Sequence, residues 1–382
     1  YSPSFLERYL RAFDNGSGLD QPFLSANLDF SAQAGYADLI DADGLIDGVV
    51  EDNRPIARSF IYNDPATGAV FGIVGATTFE LENISSPGDV AVTATLEETA
   101  TAVQAEIDRL EGMGVNKIIL VSHMQAVTTD KEMIALLRGV DIAVGGGGDE
   151  ILVNNNSSVP VADQLLPGED DPVGDYPTEV NDADGETVYL VTAKGNYKYV
   201  GRLDIVFDTH GDVTAIDNDE SYPRRVVPDT NDPAVLAALG VDDAVTPDAA
   251  LITSVIEPVE AGLADFANEV IANLEVTLDA ARTSVRAKES NLGNLVTDAF
   301  IWTYKAHDSS IANPVVAVQN GGGIRQNAGD EITNPLTRED TLNILPFSNQ
   351  VAVLRDVTPA DFKAVMERSV ADELPDGGFL QI

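Results

Sequence analysis

Three strings in the last hundred residues carry side chains that can hold an anion beside a flat ring. They are Arg282-Thr-Ser-Val-Arg286, Asn320-Gly-Gly-Gly-Ile-Arg325 and Pro346-Phe347-Ser348-Asn349. Guanidinium groups present planar forks of N–H donors that match phosphate or carboxylate oxygens, and an aromatic face receives a flat apolar ring. Arg282 and Arg286 are four apart, so a helix and an extended segment would both place them on one face. Gly321, Gly322 and Gly323 follow the apolar run Pro314–Gln319, where a missing Cβ lets backbone pass close to a ligand or a packed helix. Asn320, Gly322, Gly323 and Arg325 are therefore candidate ligand contacts, with Phe347 as a stacking platform and Asn349 as an amide beside it. Exposed arginines, a flexible turn and a core phenylalanine are the ordinary alternatives. With 22 Lys and Arg against 63 Asp and Glu, however, clustered arginine carries extra weight.

The elements that would position these residues are readable in part. Residues 68–75 form an apolar run, and so do Asn116–His123 and Val140–Val144. Between them Leu96, Val103, Ile107 and Leu110 keep helical spacing up to Gly112 and Gly114, and a short helix is expected over Asp130–Arg138. Strand, helix, strand, helix, strand implies an α/β layer with a buried sheet, whose site would lie at Ser122-His123 and Gly145–Glu150, where strands end in loops. Residues 163–187 are acidic, contain prolines and lack Lys and Arg, which reads as an exposed loop. Two-residue alternation returns near Tyr189–Ala193 and Tyr199–Asp208, with His210-Gly211 as a turn. Residues 227–248 read as a linker. Thr246-Pro247 opens a helix reaching about Asn273, with a kink expected at Pro258.

The net charge of −41 over 382 residues excludes nucleic acid and anionic membranes as partners, since both would repel the chain. The charge is distributed along the length, which fits a surface solvated by cations: a saline habitat first, a calcium-loaded extracellular protein second. Without cysteine there are no disulfides or thiolate metal sites. No apolar run approaches the roughly 20 residues that span a bilayer. No leader is visible at the start, so a cytoplasmic or a processed mature form is expected. Asp41-Ala-Asp43-Gly44-Leu-Ile-Asp47 and Asn181-Asp-Ala-Asp184-Gly185-Glu186 alternate oxygen donors around a glycine, a pattern suggestive of calcium, but neither carries the full twelve-position pattern of an EF-hand, and solvated acidic loops are the expected reading.

Glu289-Ser-Asn-Leu-Gly-Asn-Leu-Val-Thr-Asp-Ala299, Asn320–Arg325, Leu345-Pro-Phe-Ser-Asn349 and Gly378-Phe-Leu-Gln381 resemble, in order and spacing, the C-terminal domain of the secreted and periplasmic 5′-nucleotidases. Upstream, Val121-Ser-His123-Met, Val144-Gly-Gly146 and Tyr199–Asp208 resemble that family's calcineurin-like metallophosphoesterase domain. The resemblance implies a mixed α/β fold: a layered β-sandwich flanked by helices over residues 1–226, a linker and helix over 227–273, and an α/β substrate-binding domain over 274–382. It implies hydrolysis of nucleotide phosphate monoesters and two divalent metals, zinc, manganese or similar. Arg282, Arg286 and Arg325 would contact the phosphate or ribose end, Phe347 would stack on the base, Asn349 would bond near it, and His123 would be a metal ligand.

Departures are specific. The family's Gly-Gly-His-x-His/Gln element reads Gly145–Asp149, with Gly147 and Asp149 at the two ligand positions. Its Asp-x-His and its Gly-Asn-His-Glu with the catalytic histidine do not occur, and the chain resembles a domain begun partway that stops before a second stacking aromatic. Catalytic residues are thus unassigned and a weakened metal site is expected. The competing expectation is a degenerate relative with a structural, self-assembling or ligand-binding role at the surface of a salt-adapted microbe.

Overall fold

A computed structural model describes the chain except residues 1–2, 14–21, 49–53, 157, 161–162, 164, 166–170, 196, 230–231, 242, 308–315, 326–330, 348–350, 372–373 and 376. It is a mixed α/β protein of two compact units, Tyr1–Pro247 and Asp248–Ile382.

The first unit is built on a seven-stranded sheet. In chain order its strands are β1 (Leu45–Asp47), β2 (Ser59–Asn63), β3 (Val70–Thr77), β4 (Ile118–His123), β5 (Ile142–Val144), β6 (Thr178–Asn181) and β7 (Thr187–Val191), and across the sheet they run β6-β7-β5-β4-β3-β2-β1. The pairs β3/β4, β4/β5 and β5/β7 are parallel, with Thr77 opposite His123 and Val121 opposite Val144. Helices α1 (Leu96–Gly112) and α2 (Val127–Ile134) make the crossovers. Thr95 caps α1 by accepting from the Glu98 N–H, satisfying one of the amides a helix start leaves open. Val103, Ile107 and Leu110 of α1 and Ile118 and Leu120 of β4 are fully buried in one core, each contributing about 1.5–3 kcal/mol.

Two local expectations change. Within the acidic stretch read as a loop, Thr178–Asn181 is an edge strand paired antiparallel to β7. Helix α2 starts at Val127 rather than Asp130. The alternating acids act on their own backbone: Asp41 Oδ1 accepts from the Asp43 and Leu45 N–H groups, and Asp182 Oδ1 from Asp184 and Glu186. Arg58 and Arg109 both donate to the Asp43 carbonyl.

The second unit contains helices α3 (Glu257–Ala267), α4 (Arg282–Val285), α5 (Asn291–His307), α6 (Arg338–Ile344) and α7 (Pro359–Arg368). The disruption expected at Pro258 takes the form of a π-helical turn over Ile252–Ile256, just before α3. Short antiparallel pairs tie distant segments: β8 (Val270–Ala272) with Leu336–Thr337, Leu278–Asp279 with Glu331–Ile332, and Gln319–Asn320 with Leu380–Gln381. The core comprises Leu278, Val285, Leu292, Val296, Ile324, Ile332 and Ile344. Among the described residues no helix is long and apolar enough to cross a membrane.

Candidate functional site

The carboxyl ends of β4 and β5 lie side by side, the position at which parallel sheets present ligand-binding loops. His123 ends β4 and is exposed. Beneath it, Ser122 hydrogen-bonds to buried Asp130 of α2. Burial pushes Asp130 up to about 6; the Ser122 hydrogen bond opposes that rise and the Glu150 carboxylate adds to it. Glu150 accepts from the Val127 N–H at 2.5 Å and so caps α2.

The loop after β5 is folded back on His123. Gln125, itself at φ 74°, donates its N–H to the Gly146 carbonyl at 3.2 Å. Gly147 adopts φ 91°, and a Cβ there would stand 2.8 Å from Gln125 Nε2 and 2.9 Å from His123 Cδ2. Both the backbone conformation and the space therefore select glycine at the position where the resembling family carries a ligand. Asp149 does not turn toward a cation; its Oδ1 accepts from the Gly195 N–H at 3.1 Å. Among the described residues no three His, Asp or Glu side chains are grouped to hold a metal. A dinuclear centre needs several ligands from separate loops, so His123 and Asp149 do not fit one by themselves.

In the second unit the glycines make contacts instead of preventing them. Gly321 donates to the Phe379 carbonyl at 2.6 Å and Gly322 to Gly377 at 2.8 Å. A Cβ on Gly321 would lie 2.3 Å from the Val285 carbonyl and 3.0 Å from Arg286 Cα, and one on Gly322 would lie 3.1 Å from the Gly377 carbonyl. The triple glycine is thus wedged between the end of α4 and the turn at 377–379 that precedes the strand Leu380–Gln381, and any side chain at Gly321 would push the two apart. Gly323 is buried against Gln319 and Asn320. Asn320 spends its amide on the Gly377 carbonyl at 3.1 Å, which makes it a strut of the turn.

Arg282 opens α4 and is exposed; Arg286 follows α4, half-buried, its N–H donating to the Arg282 carbonyl at 3.2 Å. The two arginines therefore share one helical turn. Arg325 anchors its N–H on Ile344 at 2.8 Å and its Nη1 on the Gly322 carbonyl at 3.2 Å. Its Cζ stands 5.3 Å from the centroid of the Phe347 ring, within cation–π range. Phe347 is 48% exposed, so it is not a core residue, and its ring lies against a guanidinium. Asn349 lies outside the described residues. His210, in a turn closed by Asp208, and His307, ending α5, are both exposed.

One further side chain belongs to this region without standing out in any motif. Gln381, quoted only as the end of a string, is 1% exposed and bonded to three backbone groups 91 to 96 residues earlier. A glutamine ending an otherwise apolar string is the only signal that pointed to it.

Residues 270–382 match the family model of the 5′-nucleotidase C-terminal domain. Among known proteins, the chain is 30% identical over 374 residues to a 5′-nucleotidase of Diplobatis ommata, covering 97% of this chain and 58% of that one. It is 30% identical over 308 residues to a human 5′-nucleotidase, covering 80% and 48%. The fold matches the crystal structure of a 5′-nucleotidase precursor from Thermus thermophilus at a TM-score of 0.68 and 26% identity, over 100% of this chain and 62% of that one. The chain thus spans about half the length of the curated relatives it matches.

Proposed function

The chain belongs to the 5′-nucleotidase family, and on that premise we propose that it is a phosphomonoester hydrolase of nucleotides whose grip on the substrate lies in the second unit. The observation that carries this reading is the pairing of Arg325 with Phe347, 5.3 Å apart at the end of a glycine turn that also abuts the backbone of Arg286. Guanidinium donors beside an open aromatic face suit a phosphate linked to a flat base. In this reading Arg282, Arg286 and Arg325 bind phosphate or ribose oxygens, Phe347 stacks on the base, Asn349 hydrogen-bonds near the base, and Asn320, Gly322 and Gly323 shape the turn. Dependence on divalent metal and a secreted, periplasmic or cell-surface location in a salt-rich setting belong to the same proposal. His123 and Asp149 do not complete a metal centre by themselves, and such a centre would need further ligands.

A second reading, a relative that binds nucleotides without turning them over, is favoured by one observation: the Gly147 turn fills the space a ligand side chain would need. Titration of AMP tests the binding. Arg325→Ala should weaken it about tenfold or more, the loss of one charge-assisted contact; unchanged affinity would remove Arg325 from the site. Phosphate release from AMP with added zinc or manganese separates the two readings, since turnover excludes the second.

A further inference from the structure

We propose that Gln381 is the positioning residue of the nucleotide clamp: one buried amide holds the Arg282–Arg286 turn in register with the triple-glycine turn. The proposal rests on the nucleotide-binding reading above. Gln381 Nε2 donates to the Val285 carbonyl at 3.0 Å and to the Lys288 carbonyl at 2.7 Å, while its Oε1 accepts from the Ser290 N–H at 3.0 Å. Val285 and Lys288 bracket Arg286, so this amide fixes where that guanidinium leaves the backbone. Ser290 in turn caps α5, its Oγ accepting from the Gly293 N–H at 3.0 Å.

The backbone of Gln381 reaches the other half of the clamp. It pairs with Gln319, and Leu380 pairs with Asn320, directly before the glycines. The Val285 carbonyl that accepts from Gln381 is also the atom against which Gly321 is packed. Three strings far apart in sequence therefore meet on one residue, through its side chain on one side and its backbone on the other.

Only a primary amide suits this place, because the site asks for two donors and an acceptor in one plane. An ionised glutamate would set an acceptor oxygen in the Nε2 place against both carbonyls, and a methionine of similar shape would leave three backbone groups without partners. Gly293 completes the fit: a Cβ there would stand 2.1 Å from Gln381 Oε1, so the helix can approach the amide only with glycine at that turn.

The test titrates AMP into the 382-residue chain and its variants, each compared with the unsubstituted protein at the same pH. Gln381→Met should weaken AMP about tenfold at every pH, through misplacement of the arginines. Gln381→Glu should weaken it at neutral pH and recover in part on acidification, because the protonated carboxyl keeps an acceptor and one donor. A purely structural role would lower the melting temperature and leave affinity intact at temperatures where the protein is folded. If Arg325→Ala weakens AMP and neither Gln381 variant does, the positioning role is overturned.

If Arg325→Ala is without effect, the nucleotide reading has failed on its own, and hydrogen exchange decides the role of Gln381. In Gln381→Met, amides of residues 282–290 should exchange about tenfold faster while β8 keeps its protection; uniform or absent change overturns the proposal. Should Gln381→Met not fold, Gly293→Ala crowds the same oxygen from the helix side, and unchanged exchange over 282–290 in that variant would equally refute it.

Discussion

Replacing Asp130 by asparagine should make the first unit more stable at neutral pH, although it removes a buried, hydrogen-bonded carboxylate. The folded protein holds Asp130 at about 6 against an ordinary 3.8, burial being the leading cause. That gap corresponds to about 3 kcal/mol. Its sign follows from linkage: a raised carboxyl pKa means the folded state binds the proton more tightly than the unfolded state does. Below about pH 4 both states are protonated and no penalty exists. Stability is lost as pH rises from about 4 to about 6, and the full penalty stands above that. Asparagine keeps an oxygen for the Ser122 hydroxyl and never ionises, so the variant lacks this slope. The stability difference should be near zero at pH 4 and grow to as much as about 3 kcal/mol at pH 7. Asp141, which burial raises to about 7, titrates in an overlapping window but is common to both proteins and cancels in the difference. The assay should be hydrogen exchange of β4 amides, since the single tryptophan, Trp302, lies in the second unit and would report the wrong one. A difference that does not vary with pH, or an asparagine variant less stable at pH 7, would refute the claim that burial dominates at this site.

Gly147→His, which would write a ligand back into the loop, should instead destabilise the first unit by about 2–4 kcal/mol, from the left-handed backbone and from crowding against His123 and Gln125. Zinc calorimetry on that variant should show no new site; stoichiometric zinc uptake would contradict the packing described for Gly147. The net charge of −41 should make the whole protein salt-stabilised, with the melting temperature rising between about 0.1 M and 1 M KCl as the Debye length shrinks from about 10 to 3 Å. A flat or falling melting curve would mean that the carboxylates are already neutralised by specific pairs.

What was legible in the sequence depended on whether the causes were local. The apolar runs at Val70–Thr77 and Ile118–His123 announced strands of the central sheet because Val74, Ile118 and Leu120 are fully buried in the core, even though Val121 on the alternate face is exposed. The strand Thr178–Asn181 hid among acids because it is an edge strand, exposing Glu179 and Asn181 while Thr178 and Val180 turn partly inward. The start of α2 was misplaced for a different reason. Its first turn is capped by Glu150, 23 residues away, so no capping residue stands at Ala126 to mark it. The arginines, glycines and Phe347 could be singled out from their types and order, but Gln381 could not be given a role. Its three partners are backbone atoms, which carry no side-chain signature at all.

Glycine has opposite consequences in the two units, and the difference bears on which half of the chemistry can be altered by substitution. At Gly321 and Gly322 the missing side chains admit neighbouring backbone, and the N–H groups released by that contact are satisfied by Phe379 and Gly377. The turn is therefore made by close approach, and of the proposed clamp's guanidiniums Arg325 is tied to it through the Gly322 carbonyl. At Gly147 the missing side chain admits the chain's own His123 and Gln125, in a backbone conformation that other residues adopt only with strain. A ligand there requires the 145–149 loop and the Gln125 turn to refold together, because the Gln125 N–H is bonded to Gly146. The proposed binding in the second unit should thus respond to single substitutions, whereas a metal centre at β4 and β5 should not be restored by one.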